Sequence, residues 1–136
     1  MNAKEYLMQI SKFDALLQIK QEELAELRAK AEVGSIRYES DGSSKASRDT
    51  GKQERIYLNM IALKEEIQEE TETYIRKRKE ILNTVEKLNN ANEIKVLYKR
   101  YFEFKKWEAI AEEYNYTIRQ IHNIHGRALQ HLNDFI

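Results

Sequence analysis

The chain has no cysteine and no proline, and only four glycines in 136 residues. Lack of cysteine excludes a disulfide framework and thiolate metal sites, and fits a reducing compartment. Lack of proline means that no residue interrupts a helix by deleting its backbone donor. Long apolar runs are missing as well: none approaches the roughly 20 residues needed to span a bilayer. The N-terminus carries no basic-then-apolar signal pattern, so a cytoplasmic protein without a membrane partner is expected. Net charge is absent, because 23 basic residues cancel 23 acidic ones. Binding to phosphate therefore has to come from a local excess of Lys and Arg.

What remains is a chain in which 34% of residues are charged and Glu, Lys, Leu, Ile and Ala abound. These residues lose little rotamer freedom in a helix, which predicts an all-α fold. Over 3–33, Ile10, Phe13, Leu17, Leu24, Leu27 and Ala31 recur at spacings of three and four. That is one buried seam on an otherwise polar helix. Lys20 is its one break, with a stem able to lie along the seam and an ammonium expected to reach water.

From 34 to 51 the pattern collapses into GSIRYESDGSSKASRDTG, which reads as a mobile connector. A second helix is predicted over 52–88. Met60, Ile67, Tyr74, Ile81 and Leu88 repeat every seven residues, with Ile56, Leu63 and Val85 at the complementary spacing. A helix of this length spans roughly 50 Å and cannot bury its seam alone. The expected arrangement is a long, coiled-coil-like antiparallel helical hairpin over 1–89, with a homodimer formed through the long helices. Ile75 and Leu82 widen the apolar stripe beyond a two-stranded seam. Arg76, Lys77, Arg78 and Lys79 point around most of the helix and have Glu69, Glu70, Glu72 and Glu80 nearby, so ion pairing is expected before DNA contact.

Asn89, Asn90, Ala91 and Asn92 interrupt the periodicity and open a second domain over 90–136, with Asn92 as the expected helix N-cap and Glu93 in the first turn. Ile94, Leu97, Tyr98, Tyr101 and Phe102 mark a short amphipathic helix. Trp107, Ile110 and Ala111 mark the next, where Ala111 permits close helix approach. Asn115 suits a positive φ at the following turn and Thr117 suits an N-cap. The last helix turns Ile121, Ile124, Ala128, Leu129 and Leu132 inward, and Ile118, Arg119, Gln120, His122, Asn123 and Gly126 outward. This is a small helix-turn-helix domain, the form that inserts its second helix into a groove of double-stranded DNA. Arg reads guanine, and Gln or Asn reads adenine, through paired hydrogen bonds. Lys105, Lys106, Thr117 and Arg127 sit where phosphate contacts fall. No acid occurs between Tyr114 and Asn133, whereas Arg119, Arg127 and all three histidines do.

The segment from Leu97 to Leu132 resembles region 4 of sigma-70-type factors. The shared features are Arg100-Tyr101-Phe102, Trp107-Glu108 with Ile110-Ala111, Thr117 at the recognition-helix start, and Arg127-Ala128-Leu129. The whole chain, from Ala3-Lys4-Glu5-Tyr6-Leu7 to the Ile121–Leu129 close, looks like small phage and prophage proteins of low-GC Gram-positive bacteria. These in turn look related to phage late-gene activators of the RinA and ArpU type. The resemblance implies a sequence-specific transcriptional regulator of phage genes acting beside host RNA polymerase, with Ile118, Arg119, Gln120, His122 and Asn123 at the base- and backbone-contacting positions. Strongly basic positions of such recognition helices are Ile118 and His122 here, which implies weaker or pH-dependent phosphate affinity.

His122 and His125 lie three apart, but zinc needs two further ligands and no HExxH context exists. No nucleophile motif, phosphate loop or acid–base pair appears, so no enzymatic activity, cofactor, metal or small-molecule substrate is expected. The rival reading is a helical interaction or oligomerisation protein, whose aromatic residues Tyr101, Phe102, Phe104, Trp107, Tyr114 and Tyr116 serve a core or a protein interface.

Overall fold

The computed structural model describes residues 1–40 and 46–136, with side chains over 1–33 and 51–136. The fold is all-α, and no strand occurs among the described residues. Two long helices, α1 (Ala3–Ser40) and α2 (Ala46–Val85), precede three shorter ones, α3 (Ala91–Leu97), α4 (Trp107–Tyr114) and α5 (Ile118–Leu132). A π-helical turn, Tyr98–Phe102, extends α3, and a 3₁₀ turn, Asn133–Phe135, follows α5. The bounds of α1 and α2 take in both ends of the stretch read as a connector, and the middle of that stretch, 41–45, lies outside the described residues. No described helix is long and apolar enough to cross a membrane.

The chain divides into two compact units, one of residues 15–72 and one of 1–14 with 73–136. In the first, Leu24 and Ala31 of α1 pack on Met60 and Leu63 of α2, with Leu27, Ile56 and Ile67 at the margin. The pairing is antiparallel. Gln53 donates from Nε2 to the carbonyl of Ala31 at 2.7 Å, whereas Lys20, earlier on α1, reaches Glu66 and Glu70, later on α2. The Lys20 ammonium therefore takes two carboxylates where water was expected. Hydrogen bonds that it donates to Glu66 and then Glu70 hold it charged above the usual lysine range. A seam break of this kind is tolerable because the partner helix supplies the counter-charge.

The second unit has the deeper core. Ala3, Leu7 and Ile10 of α1 meet Ile81, Val85 and Leu88, then Leu97, Tyr101 and Phe102, then Ala128 and Leu132 of α5. Side-chain bonds close its edges: the Tyr6 hydroxyl pairs with the Thr84 hydroxyl at 3.0 Å, and the Ala3 amide donates to Asn133 Oδ1 at 2.8 Å. A second cluster of Val96, Ile110, Ala111, Ile121 and Ile124 lies under α4. Helix α3 is capped by Asn90 and not by Asn92, because the extended backbone at Asn90 aims its side-chain oxygen at the amides of Asn92 and Glu93.

Truncating Ile81, which is fully buried, to alanine should cost about 2–5 kcal/mol of unfolding free energy by cavity formation. Ile75→Ala, at a site 59% exposed on the same helix, should stay within about 0.5 kcal/mol of the parent. Urea denaturation followed by circular dichroism distinguishes the two.

Candidate functional site

The unit from α3 to α5 is built around two chain reversals. The first ends the π-helical turn. Glu103 donates its amide to the Tyr98 carbonyl at 3.1 Å, and Lys105 donates to the Lys99 carbonyl at 3.0 Å. Phe104, between them, adopts φ 58°, a left-handed conformation uncommon for a bulky residue. Lys99, within the π-helical turn, ties this reversal to α4 by bridging Glu113 at 3.0 Å and Glu103 at 3.4 Å. Its ammonium is held above the usual range, chiefly by Glu113. Neither the widened helix nor the strained Phe104 has a glycine, asparagine or proline to announce it.

The second reversal joins α4 to α5 and follows the sequence expectation. Asn115 takes φ 57°, and the Tyr116 amide bonds back to the Ala111 carbonyl at 2.9 Å, which satisfies an end carbonyl of α4. Thr117 caps α5 by accepting from the Gln120 amide at 3.1 Å. Gln120 Oε1 in turn accepts from the Thr117 amide at 2.8 Å. This reciprocal capping box fixes the first turn of α5. It also engages one lone pair of the Gln120 carbonyl oxygen and fixes the orientation of the side chain.

From Thr117 onward, α5 buries Ile121, Ile124, Ala128 and Leu132. Ile118, Arg119, Gln120, His122, Asn123 and Arg127 are exposed, as are Lys105, Lys106 and Thr117. The exposed residues do not form one patch. Gln120, Asn123 and Arg127 share a groove of about 250 Å³ with Tyr116, Asn90 and Asn92. His122 lies on the other flank with its ring 4.8 Å from that of Trp107. Arg119 projects between these groups by helical spacing. Lys105 is within 3.9 Å of Glu103, which offsets part of its charge.

A ring cluster holds α5 against the first reversal. The Arg100 guanidinium lies over Trp107 at 4.3 Å, and the His125 ring meets the same indole edge-on at 4.6 Å. His125 Nε2 and the Tyr101 hydroxyl are 2.7 Å apart. Burial, then the charges of His122, Lys4 and Arg100, lower the His125 pKa to about 4, so the ring is neutral near pH 7. Burial keeps the Tyr101 phenol protonated by raising its own pKa. At the far end of α5, His131 Nδ1 stands 2.9 Å from both oxygens of the buried Glu93 carboxylate, which ties α5 to α3. Spacing along the chain had no means of pairing residues 38 apart. Among the described residues, no group of three His, Asp or Glu side chains is gathered as a metal site would require.

These features define an all-α protein whose C-terminal helices expose a polar face on a rigidly capped last helix. The chain belongs to the family described as "Protein of unknown function (DUF1492)", whose model matches residues 37–133. No curated protein and no solved structure matches it.

The His125 shift carries a stability consequence with a definite sign. Its folded pKa lies below the unfolded value of 6.5, so the unfolded chain binds the extra proton as pH falls. Stability from the neutral ring is complete above about pH 6.5, declines between about 6.5 and 4, and is flat below. After discounting for partial exposure, a loss of about 1–2 kcal/mol is expected between about pH 7 and pH 4.5. Urea midpoints across that range should show it, and His125→Phe should flatten the difference. Thr117→Ala should cost about 1 kcal/mol at every pH by removing the cap.

Proposed function

We propose that this protein binds double-stranded DNA through α5 and regulates transcription of phage or prophage genes, acting beside host RNA polymerase. The observation that carries the reading is the capped, acid-free α5, whose exposed face offers Arg119, His122, Asn123 and Arg127 while its apolar stripe is buried. A helix held in this way across a short turn from α4 has the form of a helix-turn-helix, in which the second helix enters the major groove. The similarity of Leu97–Leu132 to sigma region 4 supports the same assignment.

In this proposal Arg119 and Asn123 read base edges. Gln120 has its carbonyl oxygen turned to the cap, so a paired adenine contact there would share that oxygen with the Thr117 amide. Ile118, 44% exposed, offers apolar contact to a thymine methyl. Lys105, Lys106, Thr117 and Arg127 contact phosphate. Enzymatic activity forms no part of the assignment.

Leu16 and Ile19 on α1, with Leu58 and Ile61 on α2, are each 44–59% exposed, which favours self-association through the long helices. A homodimer formed there would carry two reading heads and suit a palindromic site.

Selection from a randomised duplex pool, followed by fluorescence anisotropy, tests the proposal. Arg119→Ala and Asn123→Ala should each cost about 1–3 kcal/mol on the selected site and relax specificity at one position. Lys106→Ala should weaken all sequences alike and reduce the salt slope by about 1. Absence of duplex binding at low salt would overturn the DNA assignment and leave the long helices as an interaction module.

A further inference from the structure

The flank of α5 opposite the Gln120 groove carries a different kind of surface. A cavity of about 430 Å³ opens there between the N-terminal turns of α1 and the reversal that follows the π-helical turn. Its walls include Met8, Phe104 and Trp107, and its charged lining residues are Lys4 and Arg100, with no acid among them. Met8 is 48% exposed and Phe104 43%, although both are large apolar side chains beside a well-filled core.

Two properties set this cavity apart from an ordinary surface dent. Phe104 is presented to it from the left-handed backbone conformation, which costs of order 1–3 kcal/mol for a residue of its kind. A chain under no demand at this position would place an asparagine or glycine there. The charged side chains at the groove are also of one sign. Lys4 and Arg100 both act to keep His125 neutral, and Glu103, next to Phe104, is already engaged by Lys99 and Lys105. Arg100 spends one face on Trp107 and one bond on the Lys105 carbonyl at 3.0 Å, leaving further guanidinium donors.

We propose that this groove docks an acidic protein segment, which inserts one large apolar side chain among Met8, Phe104 and Trp107 and sets its carboxylates against Lys4 and Arg100. An apolar anchor in a pocket with charge-matched rims is the usual anatomy of a short-segment interface. The aromatic and thioether lining favours a protein segment over a phosphate backbone, whose binding surfaces are more polar and more strongly basic. The assignment stands whether or not α5 binds DNA, because the groove lies off the α5 face assigned to base reading.

Trp107 is the chain's single tryptophan, so its emission reports on the groove directly. Short random peptides displayed on phage would be selected on the full-length protein, and the recovered sequences synthesised without tryptophan and titrated against Trp107 fluorescence. The expected result is enrichment of sequences that place Asp or Glu beside one Phe, Leu or Met, each giving a saturable emission shift. Replacing the anchor by Ser, or introducing Lys4→Glu, should weaken binding at least about tenfold. Lys4 is exposed and outside the core, and circular dichroism checks that the variant stays folded; Met8→Glu provides a second, independent probe. The proposal fails if no sequence is enriched, if enriched sequences lack acids, or if Lys4→Glu and Met8→Glu leave affinity unchanged. It fails equally if phosphatidylglycerol vesicles move Trp107 emission as strongly as the peptides do.

Discussion

The C-terminal unit depends on the burial of one stripe, Ile121, Ile124, Ala128 and Leu132 of α5. Its first half enters the cluster under α4, with Val96, Ile110 and Ala111, and its second half enters the cluster that joins α1, α2 and the π-helical turn. A single helix therefore serves two cores. Because Ala128 is small and fully buried, α5 can lie close to its neighbours at the point where the two cores meet. Everything exposed on α5 is exposed as a consequence of that stripe. The direction of Arg119 and Asn123 is a by-product of where Ile121 and Ile124 must go.

Polar locks at both ends convert this packing into a fixed presentation. At the start, the Thr117–Gln120 box satisfies the Thr117 and Gln120 amides and restrains the first turn. At the end, the Glu93 carboxylate holds His131. Between them the Trp107 indole takes Arg100 on one side and the two histidine rings on another. These contacts are individually worth about 1 kcal/mol or less beyond burial, but they restrict different motions of the same helix. Residues of a candidate reading surface are thereby used twice. Gln120 caps and His122 packs, which concentrates free recognition chemistry on Arg119, Asn123 and Arg127.

Legibility in the sequence followed the range of the interaction. Helix type and the buried faces of α1, α2 and α5 were readable because spacings of three, four and seven are local and redundant. Asn115 and Thr117 were readable because turn and cap chemistry depends on one residue and its next three neighbours. Lys20 was recognised as a break, but its counter-ions were not, since Glu66 and Glu70 are far along the chain. The choice of Asn90 over Asn92 as cap was beyond local reading, as three asparagines within four positions satisfy the same preference. The π-helical turn and the left-handed Phe104 had no signal at all, because they arise where α3 must pack on α2 and still reach α4. Arg78, read as part of a charged run, lies over the Phe102 ring at 5.3 Å.

By itself, the sequence determined the all-α class, the sides of the helices that face inward, and the chemistry of the turn before α5. All of these rest on interactions closed within a few residues. Tertiary structure alone decided which exposed residues keep their hydrogen-bonding groups free, how Trp107 gathers Arg100, His122 and His125, and that Lys4 and Met8 come to stand beside Phe104. Those outcomes depend on long-range contacts, and the chain has no local term that encodes them.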